Sequence, residues 1–279
     1  MPSPAMKLAM RLPASGPIAA AFWITVSTAL MGALAAFARA ALNLGLHSFE
    51  VVFLRNLCAT LLLVPLLWWR GPSMLRSSQL SLYGLRVMVS LLSMQAWFYA
   101  ISLIPIGEVT AISFLAPVFG TVGAVFLLGE RVRLRRWTAV AVGLLGAMVI
   151  LRPGATALGL GQACALFSAF SIGVAVIMVK QLTAVDDPDK IVLLTNLIMT
   201  PLSLVPALFV WTWPGPEAWL PVLGMGLTAM LAHVTLVRGY AATDASLAMT
   251  FEFSRLPFAV AIAYLAFGET IDAWTWVGA

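Results

Sequence analysis

Apolar stretches long enough to cross a lipid bilayer follow one another along nearly the whole chain, and little else about it constrains the fold as strongly. A spanning helix needs about 20 mostly apolar residues. Nine stretches meet or approach that length, at roughly 17–42, 49–69, 78–103, 107–128, 136–151, 157–180, 190–211, 217–237 and 244–267. Of the 279 residues, 62% are apolar and 10% charged, whereas a soluble domain carries about 25% charged residues. Too little polar surface exists to cover a water-facing globule, so lipid has to cover it. Lipid also offers no partner to a free backbone N–H or C=O, which leaves helices or a closed barrel, and the alternating pattern of a barrel strand is missing. The fold class is therefore all-α: a polytopic bundle of transmembrane helices. A tenth stretch starts near Asp272 and stops at Ala279. Its eight residues cannot span, so the expectation is either a chain cut short or a last helix that never inserts fully.

The breaks carry turn chemistry, as in Arg70-Gly71-Pro72-Ser73, Arg152-Pro153-Gly154, Asp186-Asp187-Pro188-Asp189 and Pro214-Gly215-Pro216. No loop is long enough for a soluble domain. Trp68, Trp69, Trp137, Trp211, Trp213, Trp219, Trp274 and Trp276 fall at predicted helix ends, the headgroup level where amphipathic rings settle. Residues 1–16 hold Lys7 and Arg11 ahead of an apolar stretch longer than a signal peptide's, and read as a cytoplasmic tail before the first helix. With the N-terminus inside, Arg70, Arg76, the arginines of 131–136, Lys180, Lys190 and Arg238 also fall inside, against Arg152 outside. The formal charge of +5 is thus a topology signal, and nucleic acid is not an expected partner. Cys58 and Cys164 lie in apolar runs and read as small hydrophobes, with no metal or disulfide spacing.

Two segments look alike. Tyr99-Ala100, Pro117, Gly129-Glu130 and Trp137 are matched by Tyr240-Ala241, Pro257, Gly268-Glu269 and Trp276. Each copy follows three spanning helices, which predicts repeats at 17–152 and 157–279. Five helices is an odd number, so the second copy has to sit upside down. The loop charges agree: Arg131, Arg133, Arg135 and Arg136 follow Glu130, and none follows Glu269. Inverted repeats are a hallmark of transporters, with substrate at the repeat interface.

The runs Phe114-Leu115-Ala116-Pro117-Val118-Phe119 and Leu127-Leu128-Gly129-Glu130-Arg131, with Phe251-Glu252-Phe253-Ser254-Arg255-Leu256-Pro257 and Phe267-Gly268-Glu269 in the second half, resemble the drug/metabolite transporter superfamily, specifically its ten-helix EamA family. The resemblance spans nearly the whole chain and says little about substrate. It implies ten helices with both termini cytoplasmic, a central cavity lined by both halves, and placement in the inner (plasma) membrane. Its members move amino acids, metabolites and toxic compounds inward or outward. A homodimer is compatible with it, and no cofactor is implied.

A charge at the bilayer centre costs roughly 2.5–3.5 kcal/mol on insertion scales, so charges at depth are functional candidates. Glu252 and Arg255 share a helical face, either as a cavity pair that binds a zwitterion or as a structural ion pair. Arg86 either meets a substrate carboxylate or, the favoured reading, snorkels to the inner headgroups. Arg55, five after Glu50, reads as structural or near the outer interface, and Arg39 sits close enough to the outer end of the first helix to snorkel too. His233 is a proton relay or, more simply, a bonded interior histidine. Trp23, Gln95, Trp97 and Tyr99 are candidate wall residues, as are Thr110 and Ser113. Pro117 and Pro257 break the backbone ladder at matching places. Glu108 suits the positive N-terminus of the fourth helix. Glu130 and Glu269 read as loop-ordering residues.

The function these features predict is a secondary transporter moving an amino acid or related organic solute, with efflux as one direction, by alternating access. No phosphate-cradling Gly-x-x-x-x-Gly-Lys motif occurs, so the chain does not hydrolyse ATP. The alternatives are an intramembrane enzyme, which lacks any catalytic or metal constellation here, and a scaffold or receptor, which lacks signalling domains.

Overall fold

The computed structural model describes residues 16–128 and 159–268, with scattered helical positions between 137 and 149. Helix α1 spans Pro17–Asn43, α2 Ser48–Arg70, α3 Leu80–Leu103, α4 Ile106–Ser113 and α5 Leu115–Leu128. In the second half α6 spans Leu160–Thr183, α7 Pro188–Leu208, α8 Trp219–Ala242, α9 Ala245–Phe251 and α10 Arg255–Phe267. Seven of the described segments are long and apolar enough to cross a membrane, with α4 and α5 taken as one. The chain is a helical membrane bundle. The predicted helices at 136–151 and beyond Asp272, the Glu130 and Glu269 motifs and the arginines of 131–136 lie outside the described residues.

Two predicted helices are broken. The run 107–128 is interrupted at Phe114, and the run 244–267 is interrupted by a 3-10 turn at Glu252–Ser254. The reason is the same in both. Pro117 is the third residue of α5 and Pro257 the third of α10. A proline removes the N–H that would bond the carbonyl four residues back, and its ring crowds that carbonyl. α4 accordingly ends at Ser113, four before Pro117.

The helices pair as an exchange of halves requires. α1 packs on α8 and α6 on α3, while α2 packs on α7. The broken helices cross, α5 against α9 and α4 against α10. Each long pair runs antiparallel. Along α2 and α7, the Thr212 hydroxyl donates to Glu50 at 3.0 Å, Thr60 and Thr200 share a bond of 2.7 Å, and Arg70 donates to Asp189 at 2.8 Å. Along α1 and α8, Gly16 N–H donates to Ala242 and Ser27 to the Ala232 carbonyl. Antiparallel pairing of the equivalent helices α2 and α7, with α1–α8 mirrored by α6–α3, is the geometry of a two-fold axis lying across them.

Close approach comes from small residues, the usual glue between helices in lipid. Ala19, Ala20, Ala38 and Ala41 of α1 and Ala229 and Ala232 of α8 are fully buried. Gly173 of α6 lies so near α5 that a Cβ there would stand 2.9 Å from Gly120 N and 3.1 Å from the Ala116 carbonyl oxygen. The periphery is the reverse: Phe126, Leu127, Phe209 and Leu265 are exposed, as a lipid-facing surface requires.

α2 starts with a cap that also ties the halves together. Glu50 accepts the His47 N–H at 2.7 Å, and its other oxygen accepts both the backbone N–H and the hydroxyl of Thr212. Glu50 is thus a capping group, not a partner of Arg55. The opposite end of the bundle is basic. There the Asp189 carboxylate takes Arg70 of α2 and Arg238 of α8, Asp186 takes Lys190 at 2.5 Å with Ser77 and Tyr83, and the Arg238 guanidinium lies 5.3 Å from the centre of the Trp23 ring.

A cavity between the halves

A cavity of about 160 Å³ lies among α1, α2, α3 and α4 of the first half and α6, α8 and α10 of the second. Most of its wall is apolar. Met31, Met94, Trp97, Phe98 and Ile172 form it with Val176 and Val179, and Ser90, Ser93, Thr110 and Ser168 add hydroxyls. Into this wall project Arg55, Arg86, Arg255, Glu252, His233 and Tyr240.

Each charged group has a definite set of partners. Arg55 is 1% exposed; it donates to Asn56 Oδ1 at 2.6 Å and to His233 Nε2 at 3.1 Å. A guanidinium only donates, so His233 Nε2 must accept, and the imidazole there carries its proton on Nδ1. Arg86 is 7% exposed and donates to the Thr195 hydroxyl, which in turn donates to the Ile191 carbonyl at 2.6 Å. Its burial corrects the snorkelling reading: the side chain runs inward to α7. Glu252 is gripped from two sides, by the Tyr240 hydroxyl and by Arg255 Nη2 at 3.6 Å. The Nε atoms of Arg55, Arg86 and Arg255 are buried without a hydrogen-bond partner among the described residues.

The broken helix positions the acid–base pair. The 3-10 turn at Glu252–Ser254 puts Glu252 and Arg255 into the cavity from the junction of α9 and α10. Thr28 of α1 holds the turn through a 2.8 Å bond with Ser254.

Of the residues singled out from sequence, Glu252, Arg255, Arg86, Trp97 and His233 converge on this wall, with Thr110. The others stand outside it. Trp23 lies under Arg238 at the basic end. Gln95 is half-buried, and its amide N and O lack partners. Tyr99 is half-buried, and Ser113 donates back to the Val109 carbonyl at 2.8 Å. Pro117 is buried behind the break, and Pro257 is exposed. Arg39 donates to the Ile104 carbonyl at 3.0 Å instead of reaching headgroups, and Glu108 accepts from Gln162 at 2.9 Å. Sequence reasoning missed Arg55 and Tyr240. The depth of Arg55, seven residues into α2, was the signal that could have found it. Among the described residues no group of acidic, Cys and His side chains could hold a metal.

The arrangement resembles proteins already known. A riboflavin transporter of Vibrio cholerae is 31% identical over 94% of this chain and 90% of its own length. An S-adenosylmethionine uptake transporter of Rickettsia prowazekii is 25% identical over 84% of this chain and 80% of its own. A solved structure superposes with a TM-score of 0.67 at 20% identity, covering 91% of this chain and 92% of that one, which shows the shared fold. Its relatives are transporters, not enzymes, and the family's pattern is met twice, over residues 18–152 and 159–279: this chain is a membrane transporter that belongs to the EamA-like transporter family.

Proposed function

We propose that the protein is a secondary transporter that carries a small organic solute with a flat heteroaromatic portion, riboflavin first among the candidates, by alternating access. One observation carries this reading: a cavity with walls drawn from both halves, which meet through the antiparallel equivalent pair α2 and α7 and through the exchanged pairs α1–α8 and α3–α6. Rocking one half against the other would expose such a cavity to each face in turn. The basic end, with Arg70, Arg76, Lys180, Lys190 and Arg238, is the cytoplasmic face under the positive-inside rule, which puts the N-terminus inside. At that face Asp189 ties Arg70 of α2 and Arg238 of α8 to α7, a clamp across the helix ends that would close the path.

Riboflavin is supported by the Vibrio relative and by the half-buried Trp97 of the wall, an aromatic side chain that can stack on a planar ring. S-Adenosylmethionine fits less well, because its sulfonium cation would meet three guanidinium groups and one carboxylate. An amino acid is a second reading, favoured by Glu252 beside Arg255, a pair of opposite charges that matches a zwitterion.

The test is counterflow of labelled riboflavin, and separately of a panel of amino acids, in proteoliposomes holding the full chain. Riboflavin flux that falls in Arg255→Ala and Glu252→Gln, with insertion intact, supports the cavity as the path. No riboflavin flux in the wild type removes riboflavin, and wild-type flux in both variants removes the pair from the path.

A further inference from the structure

Among the described residues, Arg55 and Arg86 are cations without a counter-ion. Arg55 bonds Asn56 and His233, and Arg86 bonds Thr195. All three partners are neutral. The one carboxylate among the described residues of the wall, Glu252, is engaged by Tyr240 and Arg255. A guanidinium does not lose its proton in a protein, so it cannot escape burial by neutralising. An uncompensated charge at membrane depth is expensive, and such residues pair or mark a substrate path. Both side chains are more than nine-tenths buried, both line the same cavity, and both have a buried Nε without a partner. The side-chain fork of arginine matches the oxygens of a carboxylate or phosphate, often two at a time.

We infer that Arg55 and Arg86 form an oxyanion-binding site, and that a carboxylate or phosphate held there completes the charge of the loaded cavity. This deepens the transport reading above and rests on it. The oxyanion has two sources, a group on the organic solute or a separate inorganic ion that binds beside it. His233 buttresses the site. Its Nε2 accepts from Arg55 and so holds that guanidinium against the cavity wall.

The experiment compares riboflavin with riboflavin 5′-phosphate, which share a ring and differ by the oxyanion. Binding to the purified full chain in detergent is read from quenching of flavin fluorescence, with inorganic phosphate as a third probe. The phosphate ester is expected to bind at least tenfold more tightly than riboflavin, with the advantage shrinking as salt rises. In Arg55→Gln and Arg86→Gln the ratio of the two affinities falls toward one, and Arg55→Lys and Arg86→Lys restore part of it. Inorganic phosphate that weakens only the ester assigns the oxyanion to the solute. Inorganic phosphate that tightens riboflavin assigns it to a separate ion. Equal wild-type affinities for the two flavins, with phosphate affecting neither, overturn the inference while leaving riboflavin transport standing. If neither flavin binds, the riboflavin reading fails on its own. The oxyanion site is then judged by phosphate alone: raised thermal stability in the wild type and not in the Gln variants supports it, and no rise overturns it.

Discussion

Replacing Asp189 with alanine should open the basic face of the bundle. The Asp189 side chain is 11% exposed and binds Arg70 at 2.8 Å and Arg238 at 2.9 Å, joining the ends of α2, α7 and α8. Buried bonds to charged groups contribute about 1.5–3 kcal/mol each. The arginine side chains are 48% and 38% exposed, however. Solvent screening at that exposure lowers each bond to at most about 1 kcal/mol. Two such bonds give about 1–2 kcal/mol, which is roughly a 5- to 30-fold shift in a two-state equilibrium. Asp189 also lies in the first turn of α7, where a carboxylate favours the helix by about 0.3–1 kcal/mol. That contribution is common to both conformations and cancels. The assay is labelling of Ser90→Cys, a cavity-wall position, by a membrane-impermeant maleimide from each side of sealed vesicles, in a Cys58→Ala, Cys164→Ala background. Labelling from the Arg70 side should rise by up to about 5- to 30-fold in Asp189→Ala, with a much smaller fractional fall from the other side. Unchanged labelling, or a rise from the far side alone, would refute the clamp as the closure of this face.

Three further outcomes follow from the same geometry. Glu50→Ala leaves the His47 N–H and both Thr212 donors without their acceptor, and should lower detergent-solubilised stability by about 3 kcal/mol, read as an earlier thermal unfolding. Burial works against ionisation of Asp186, but hydrogen bonds from Lys190, Ser77 and Tyr83 outweigh it and hold the carboxyl below its usual value. A carboxyl depressed in the folded state adds stability above its unfolded value of 3.8, and that stability is lost as pH falls through the lower folded value. Wild-type melting should therefore drop on acidification below about pH 4 by more than Asp186→Asn does, and parallel curves would contradict this. Gly173→Ala sets a methyl against the Gly120 and Ala116 backbone and should cost about 1–3 kcal/mol, with flux falling alongside; unchanged melting would mean α5 shifts freely.

Much of the bundle is legible along the chain because lipid imposes its own rule. α2, α3, α6 and α7 begin within a few residues of the apolar runs that predict them. The two breaks are less legible. Hydropathy runs straight through Phe114 and Glu252, and only Pro117 and Pro257 mark them. The cavity is the least legible part. Arg39 sits near the end of α1 and Arg86 within two turns of the start of α3, where snorkelling is the simplest reading, yet Arg86 turns inward to Thr195 and Arg39 bonds the Ile104 carbonyl. Sequence distance carries no information about which face of a helix meets a neighbour 100 residues away.

The order of apolar runs, the basic loops and the repeated Tyr-Ala, Pro and Gly-Glu marks were enough to specify a helical membrane protein made of two similar halves. Those properties are local or compositional, and a bilayer reads them one segment at a time. Which arginines end up facing a common space depends on how α2, α3 and α10 rotate against α1, α6 and α8, and that rotation is set by long-range packing of small residues. The link from Arg55 to His233 spans 178 positions, and the one from Arg86 to Thr195 spans 109. Contacts of that range exist only once the halves have closed on each other.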